Sequence, residues 1–239
     1  MKKFYVFLLL VPIVFYSCHF AQGERVKGSG HVVTENRDVT GFTGVESYGS
    51  FDVHVGSGNH ALKMEGEDNI LAHIDTYVEG DILKIKTKKG FWLDPDRDVK
   101  IYVTAPSYTR VYSNGSGNII GESKITGTGK LELGVNGSAD INLEVDAPEV
   151  TTDINGSGNA KLKGQTKIFK SQVMGSGDVR ALDLLAEETS VKIMGSGNAD
   201  VYSSVKLNVN VAGSGDVRYK GGAQVNSHIA GSGEVKKLD

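Results

Sequence analysis

Seven times in the last half of this chain, a residue with an amide or carboxylate side chain follows a Gly-Ser-Gly or Gly-Ser-Ala turn: Asn118, Asp140, Asn159, Asp178, Asn198, Asp216 and Glu234. Oxygen-bearing side chains at a fixed interval could serve two chemistries. Calcium takes roughly six to eight oxygens, several of them charged. Glycoside hydrolysis takes two carboxylates flanking one bond. The spacing argues against both. The turn returns only once in 18 to 22 residues, and three of the first six corner residues are Asn. Asp178, Asp183, Glu187 and Glu188 are close in sequence, but three of them read as a charged, solvated loop. His19, His31, His54, His60, His73 and His228 show no metal-ligand spacing. The serines are flanked by glycines at a β corner, which is not the strand-to-helix elbow of a nucleophilic serine. No catalytic residue, metal or cofactor is therefore assigned. One aromatic stands apart. Phe91-Trp92 reads as a loop between Gly90 and Pro95. A lone Trp usually fills a core, and Trp92 is the candidate ligand contact if it does not.

The elements that carry the corner residues are strands. Two residues before each first glycine stand Ser113, Val135, Ile154, Val173, Ile193, Val211 and Ile229; four after it stand Ile119, Ile141, Ala160, Val179, Ala199, Val217 and Val235. The residues between are mostly polar, and such period-two alternation marks half-buried strands. Glycine at the corner permits positive φ or close backbone approach. A period near 20 with one turn per unit predicts a β-solenoid, in which each column stacks into a ladder about 4.8 Å apart. The column Asn118, Asp140, Asn159, Asp178, Asn198, Asp216 is then a structural ladder. Its alternating Asn spaces the carboxylates and offers them amide donors on either side.

Composition agrees. The chain has 31 Gly and 4 Pro in 239 residues, and a net charge of −3 with dispersed Lys and Arg. No basic stripe suits nucleic acid. The N-terminus reads as a signal peptide over 1–17: Lys2 and Lys3, then an apolar run from Phe4 to Tyr16. Cys18 is the only Cys. It cannot form an internal disulfide, and its place resembles the acylated Cys of bacterial lipoproteins, so Cys18 is the expected lipid attachment site. Residues 18–30 read as a tether. Residues 31–110 read as irregular β coils or a cap, with strands near 51–55, 82–86 and 99–103 and a helical turn near 69–74. Residues 111–239 read as regular repeats.

The stretch Val39-Thr40-Gly41-Phe42-Thr43-Gly44-Val45, then Gly49-Ser50-Phe51-Asp52-Val53, resembles the opening of the bacterial auto-transporter adhesin "head GIN" domain family. So does Tyr102-Val103-Thr104-Ala105-Pro106 leading into the repeats. The resemblance covers about 36–238. It implies an all-β, right-handed parallel β-helix on an exported, often lipid-anchored protein, and it brings no catalytic residues. The expected function is a non-enzymatic envelope module, anchored through its N-terminus, that binds a glycan or a protein and is able to self-associate. A glycan-active enzyme on a β-helix, or a structural envelope protein, is the alternative.

Overall fold

The computed structural model describes residues 23–239. Cys18 and the signal peptide lie outside them. Among the described residues, no helix is long and apolar enough to cross a membrane. The fold is a β-solenoid of about 7 turns.

Each coil has two sides meeting at the Gly-Ser-Gly corner. Before the corner, parallel rungs stack in the order Ile82–Thr87, Gly44–Gly49, Arg110–Gly115, Lys130–Gly137 and onward to Lys206–Gly213 and Gln224–Gly231. After it, the order is Lys100–Ala105, Asp52–Ser57, Ile119–Gly121 and onward to Val217–Lys220 and Val235–Lys237. In the middle coils one strand makes the whole circuit between corners: Asp140–Gly156, Asn159–Gly175 and Val179–Gly195. Pairing shifts between Lys161 and Lys163, so the strand above carries one extra residue as a bulge. That bulge absorbs the 20-residue unit stacked on a 19-residue one.

The expected apolar columns point inward. Val135, Ile154, Val173, Ile193 and Val211 are fully buried and stack in register. Ser113, which interrupts that column, is buried and donates its hydroxyl to the Gly117 carbonyl at 2.6 Å. Two residues before Ile154 and Val173 on the same strands, Thr152 and Ser171 are neighbours in register with buried hydroxyls that have no partner.

The first glycines have φ between 130° and 152° from Gly49 through Gly231, a region that side chains rarely adopt. The third glycines meet a different constraint. Gly177 has no positive φ; a Cβ there would fall on the Gly158 carbonyl oxygen one coil below.

The front half supplies the lowest rungs and a cap. Gly49-Ser50-Phe51-Asp52 is itself a corner, with Gly49 beneath Gly115 and Phe51 where later units have glycine. The rung at 82–105 comes later in sequence than the one at 44–57 but lies outside it. Antiparallel strands then close the end: Ala61–Glu67 on Lys100–Ala105, Val32–Arg37 on Ala61–Glu67, and Ile74–Glu79 on Ile82–Thr87. The helical turn is Asp68–Leu71. Glu67 clasps this cap. It is fully buried, and its carboxylate accepts the backbone N–H groups of Gly30 (2.6 Å), Asp96 (2.8 Å) and Arg97 (3.3 Å).

Two expectations need correction here. The tether expected over 18–30 is taken into the structure from residue 24, because Glu24–Lys27 pairs in parallel with Phe91–Asp94. The loop expected around Asp183, Glu187 and Glu188 is part of the Val179–Gly195 strand. Its Leu184 and Ala186 point inward, and Asp183, Glu187 and Glu188 point to solvent.

Candidate functional site

The corner ladder is the most regular polar feature. The side-chain oxygen of each corner residue accepts the backbone N–H of the corner residue one coil on. Asn118 N–H donates to Asp52 Oδ1 at 2.9 Å, and Asp140 N–H to Asn118 Oδ1 at 3.0 Å. Asn159 donates to Asp140, Asp178 to Asn159, Asn198 to Asp178, Asp216 to Asn198 and Glu234 to Asp216, each at 3.0 to 3.1 Å. A short side chain with a carbonyl-type oxygen is what this bond requires, and Asn and Asp serve equally. Asp52 therefore joins the ladder, which the sequence reading began at Asn118. The amide donors also differ from expectation. Asn159 Nδ2 and Asn198 Nδ2 donate to the preceding carboxylates, Asp140 at 2.8 Å and Asp178 at 3.1 Å, and bond to no following one. The ladder thus spends one oxygen of each side chain on backbone closure. Among the described residues, no group of three or more His, Cys, Asp or Glu side chains is placed to hold a metal.

The outer face before the corner is divided. At the capped end it is locked. Arg110 bridges Glu46 (Nε to Oε1, 2.7 Å) and Glu132 (2.7 Å), and its guanidinium lies 3.8 Å over the Tyr112 ring. Tyr112 lies flat on Gly134, where any side chain would collide with the ring, and donates its hydroxyl to Asp153 at 3.2 Å. Burial, then repulsion from Asp153, pushes the Tyr112 phenol up to about 12. The Lys130 ammonium holds the Glu132 carboxyl below its ordinary range, with Arg110 adding to it. Tyr48 donates to Glu46 at 2.6 Å, and that bond, with burial, raises its phenol.

Farther along, the same face is open. Lys192, Asn210 and His228 stack in register, as do Ser190, Asn208 and Asn226. These six side chains line a shallow depression. Nothing in the sequence reading singled them out beyond a polar column, because an exposed polar rung looks the same whether it is paired or free.

The face after the corner carries a second aromatic cluster. His54 stacks on Tyr102 at 4.7 Å and contacts Glu122 at 2.5 Å, with Lys63 over the other side of Tyr102 at 4.0 Å. His60 bonds to the Phe42 carbonyl at 2.7 Å.

Trp92 does not fill the cap core. It lies on the Phe91–Asp94 strand, and alternation there sends Phe91 and Leu93 inward and leaves Trp92 71% exposed. It stands across from Arg25, whose guanidinium bonds to Asp94.

The model of the family described as "Putative auto-transporter adhesin, head GIN domain" matches residues 41–223. Three solved structures share the fold. A Parabacteroides distasonis protein named a "putative adhesin" is 26% identical, with TM-score 0.73, over 90% of this chain and 100% of its own. A second from that organism, named a "putative lipid binding protein", is 24% identical, with TM-score 0.77, over 90% and 100%. A Bacteroides fragilis "putative adhesin" is 21% identical, with TM-score 0.76, over 89% and 100%. At the identities of these last two the likeness is one of fold. No functionally curated protein matches the chain.

Proposed function

The chain belongs to the head GIN domain family, and from that premise we propose that it is a non-enzymatic, exported binding module. In this reading Cys18 carries a lipid that holds it to the cell envelope. Its ligand is a hydroxyl-rich glycan lying along Ser190, Lys192, Asn208, Asn210, Asn226 and His228.

The observation that carries the glycan reading is the free amide row. Asn208 sits in register with Asn226, and Asn210 with His228. Each amide offers donors and an acceptor, the same pair that a sugar hydroxyl offers in return. A protein partner fits this surface less well, because the row has no large aromatic or apolar anchor of the kind that dominates protein interfaces. Cleavage is disfavoured because the Oδ1 of each corner Asp (Asp140, Asp178 and Asp216) already accepts a backbone N–H of the next coil.

The test is binding to a glycan array by wild type and by the Asn208→Ala, Asn210→Ala double variant. Binding should fall at least about tenfold, the equivalent of about 1.4 kcal/mol, with an unchanged melting temperature. Equal binding by the two proteins would reject this face. Release of reducing ends or unsaturated sugars from a bound glycan would reject the non-enzymatic reading. Labelled fatty acid should be incorporated by wild type and not by Cys18→Ser.

A further inference from the structure

We propose that the capped end of the solenoid rests on the membrane, with the Trp92 ring inserted at the lipid–water interface. The inference builds on the lipid anchor proposed at Cys18. It adds which end of the molecule faces the bilayer and which residue touches it.

Three observations point there. The first is where the chain enters the fold. Glu24 donates its N–H to the Gly90 carbonyl at 2.8 Å, so the entry point lies two residues from Trp92. Four residues lie between Cys18 and Gly23, and the five extended steps from one to the other span at most about 18 Å. A lipid on Cys18 therefore holds this end within about that distance of the bilayer.

The second is the exposure of Trp92 itself. It is the only Trp in the chain, and 71% of it is in solvent. Strand alternation explains why it points outward but not why an indole should be there. The indole combines a large apolar ring with one N–H donor, and such rings concentrate at the headgroup level of membranes.

The third is the ring's surroundings. The Arg25–Asp94 pair is beside it, and Lys27, Lys88 and Lys89 lie on the same two strands or immediately before them. The acidic groups there are Glu24 and Asp94, with exposed Asp96 and Asp98 flanking Arg97 just after the strand, and Asp94 is already occupied by Arg25. Lys88 donates to the Ala72 carbonyl, and Lys27 and Lys89, whose side chains make no bond among the described residues, flank the exposed indole as cations that suit anionic headgroups. A sugar-binding site would instead need further polar groups converging on the ring, and only Arg25 and Asp94 share its groove with Gly23.

Because Trp92 is the only Trp, its fluorescence reports on this site without substitution. The acylated full chain would be purified from cells labelled with fatty acid and reconstituted into phosphatidylethanolamine–phosphatidylglycerol vesicles. Emission should shift to the blue on reconstitution. Lipids brominated near the headgroup should quench it at least about twofold more than lipids brominated near the chain end, as an interfacial depth requires. Acylated, vesicle-bound protein whose emission and acrylamide quenching match those of the detergent-free Cys18→Ser chain would overturn this inference and leave the anchor standing. Wild-type protein without label would overturn both. A blue shift on adding a soluble glycan, with none on adding vesicles, would overturn it in favour of a sugar contact.

Discussion

Asp140 illustrates how one residue type is selected by its neighbour's backbone. Its carboxylate accepts both the N–H and the side-chain amide of Asn159. Asn198 makes the same pair of bonds to Asp178. Asn198→Asp keeps the acceptor for Asp216 but removes the donor to Asp178 and places a carboxylate beside it. We expect a loss of about 1 kcal/mol in urea unfolding, shrinking as salt is raised. A salt-independent difference would count against the ladder. The orphaned Thr152 hydroxyl predicts the opposite sign. Thr152→Val, close to it in shape, should stabilise the fold by about 1 kcal/mol and raise the melting temperature by about 2–4 °C; a lower melting point would mean the hydroxyl has a partner. Tyr112 predicts a pH effect. Its phenol ionises near 10 in the unfolded chain and near 12 in the fold. Its contribution is therefore complete below pH 10 and drains away as pH rises toward 12. The urea midpoint should fall less between pH 9 and pH 11 in Tyr112→Phe than in wild type, and parallel losses would refute this. The corner residues were legible in the sequence because the stacked motif repeats. Their bonding partners were not, since the receiving N–H belongs to another coil.

At the scale of the element, the corner and the cap carry different kinds of constraint. The first glycine must adopt positive φ, whereas the third must only be thin. Gly175→Ala should thus be strained by its backbone as well as by the Gly156 carbonyl, and Gly177→Ala by crowding alone, against the Gly158 carbonyl and the Ile154 side chain. Within the coils, Val173 and Ile193 are adjacent rungs of one buried column. Val173→Ala and Ile193→Ala should each cost about 1–4 kcal/mol, with a coupling of at least about 0.5 kcal/mol in a double-mutant cycle. Strict additivity would show that the rungs do not pack on each other. In the cap, Glu67→Gln leaves the carboxamide NH₂ facing backbone donors, and we expect a loss of about 2–4 kcal/mol. Strands were legible wherever alternation was clean. The corner at Gly49 was hidden because Phe51 replaces the glycine and residues 58–109 separate it from the next unit. The strand carrying Trp92 was hidden too. Its four residues are bulky on both faces, so alternation gave no signal until the partner strand Glu24–Lys27 fixed which side was inward.

For the whole molecule, each coil touches chiefly the coils beside it, so stability is close to a sum over rungs and their interfaces. The two ends are not alike. Antiparallel strands and Glu67 finish one, while Gln224–Gly231 and Val235–Lys237 leave an outward strand edge at the other. The outermost parallel rung, at 82–105, lies outside the rung at 44–57 although it is made later. That inversion has a consequence for a chain delivered N-terminus first. Residues 44–57 can be covered on their outer side only after residue 105 has emerged, so the capped end is assembled as one block. Every coil after it meets a finished template and adds in the order in which it is synthesised. Growth is then expected to be vectorial, from a seed of about 80 residues toward the Gln224–Gly231 rung: stopping the chain along the repeats should leave a shorter rod, and stopping it inside the seed should leave no rod, as protease-resistant fragments of truncated chains would show.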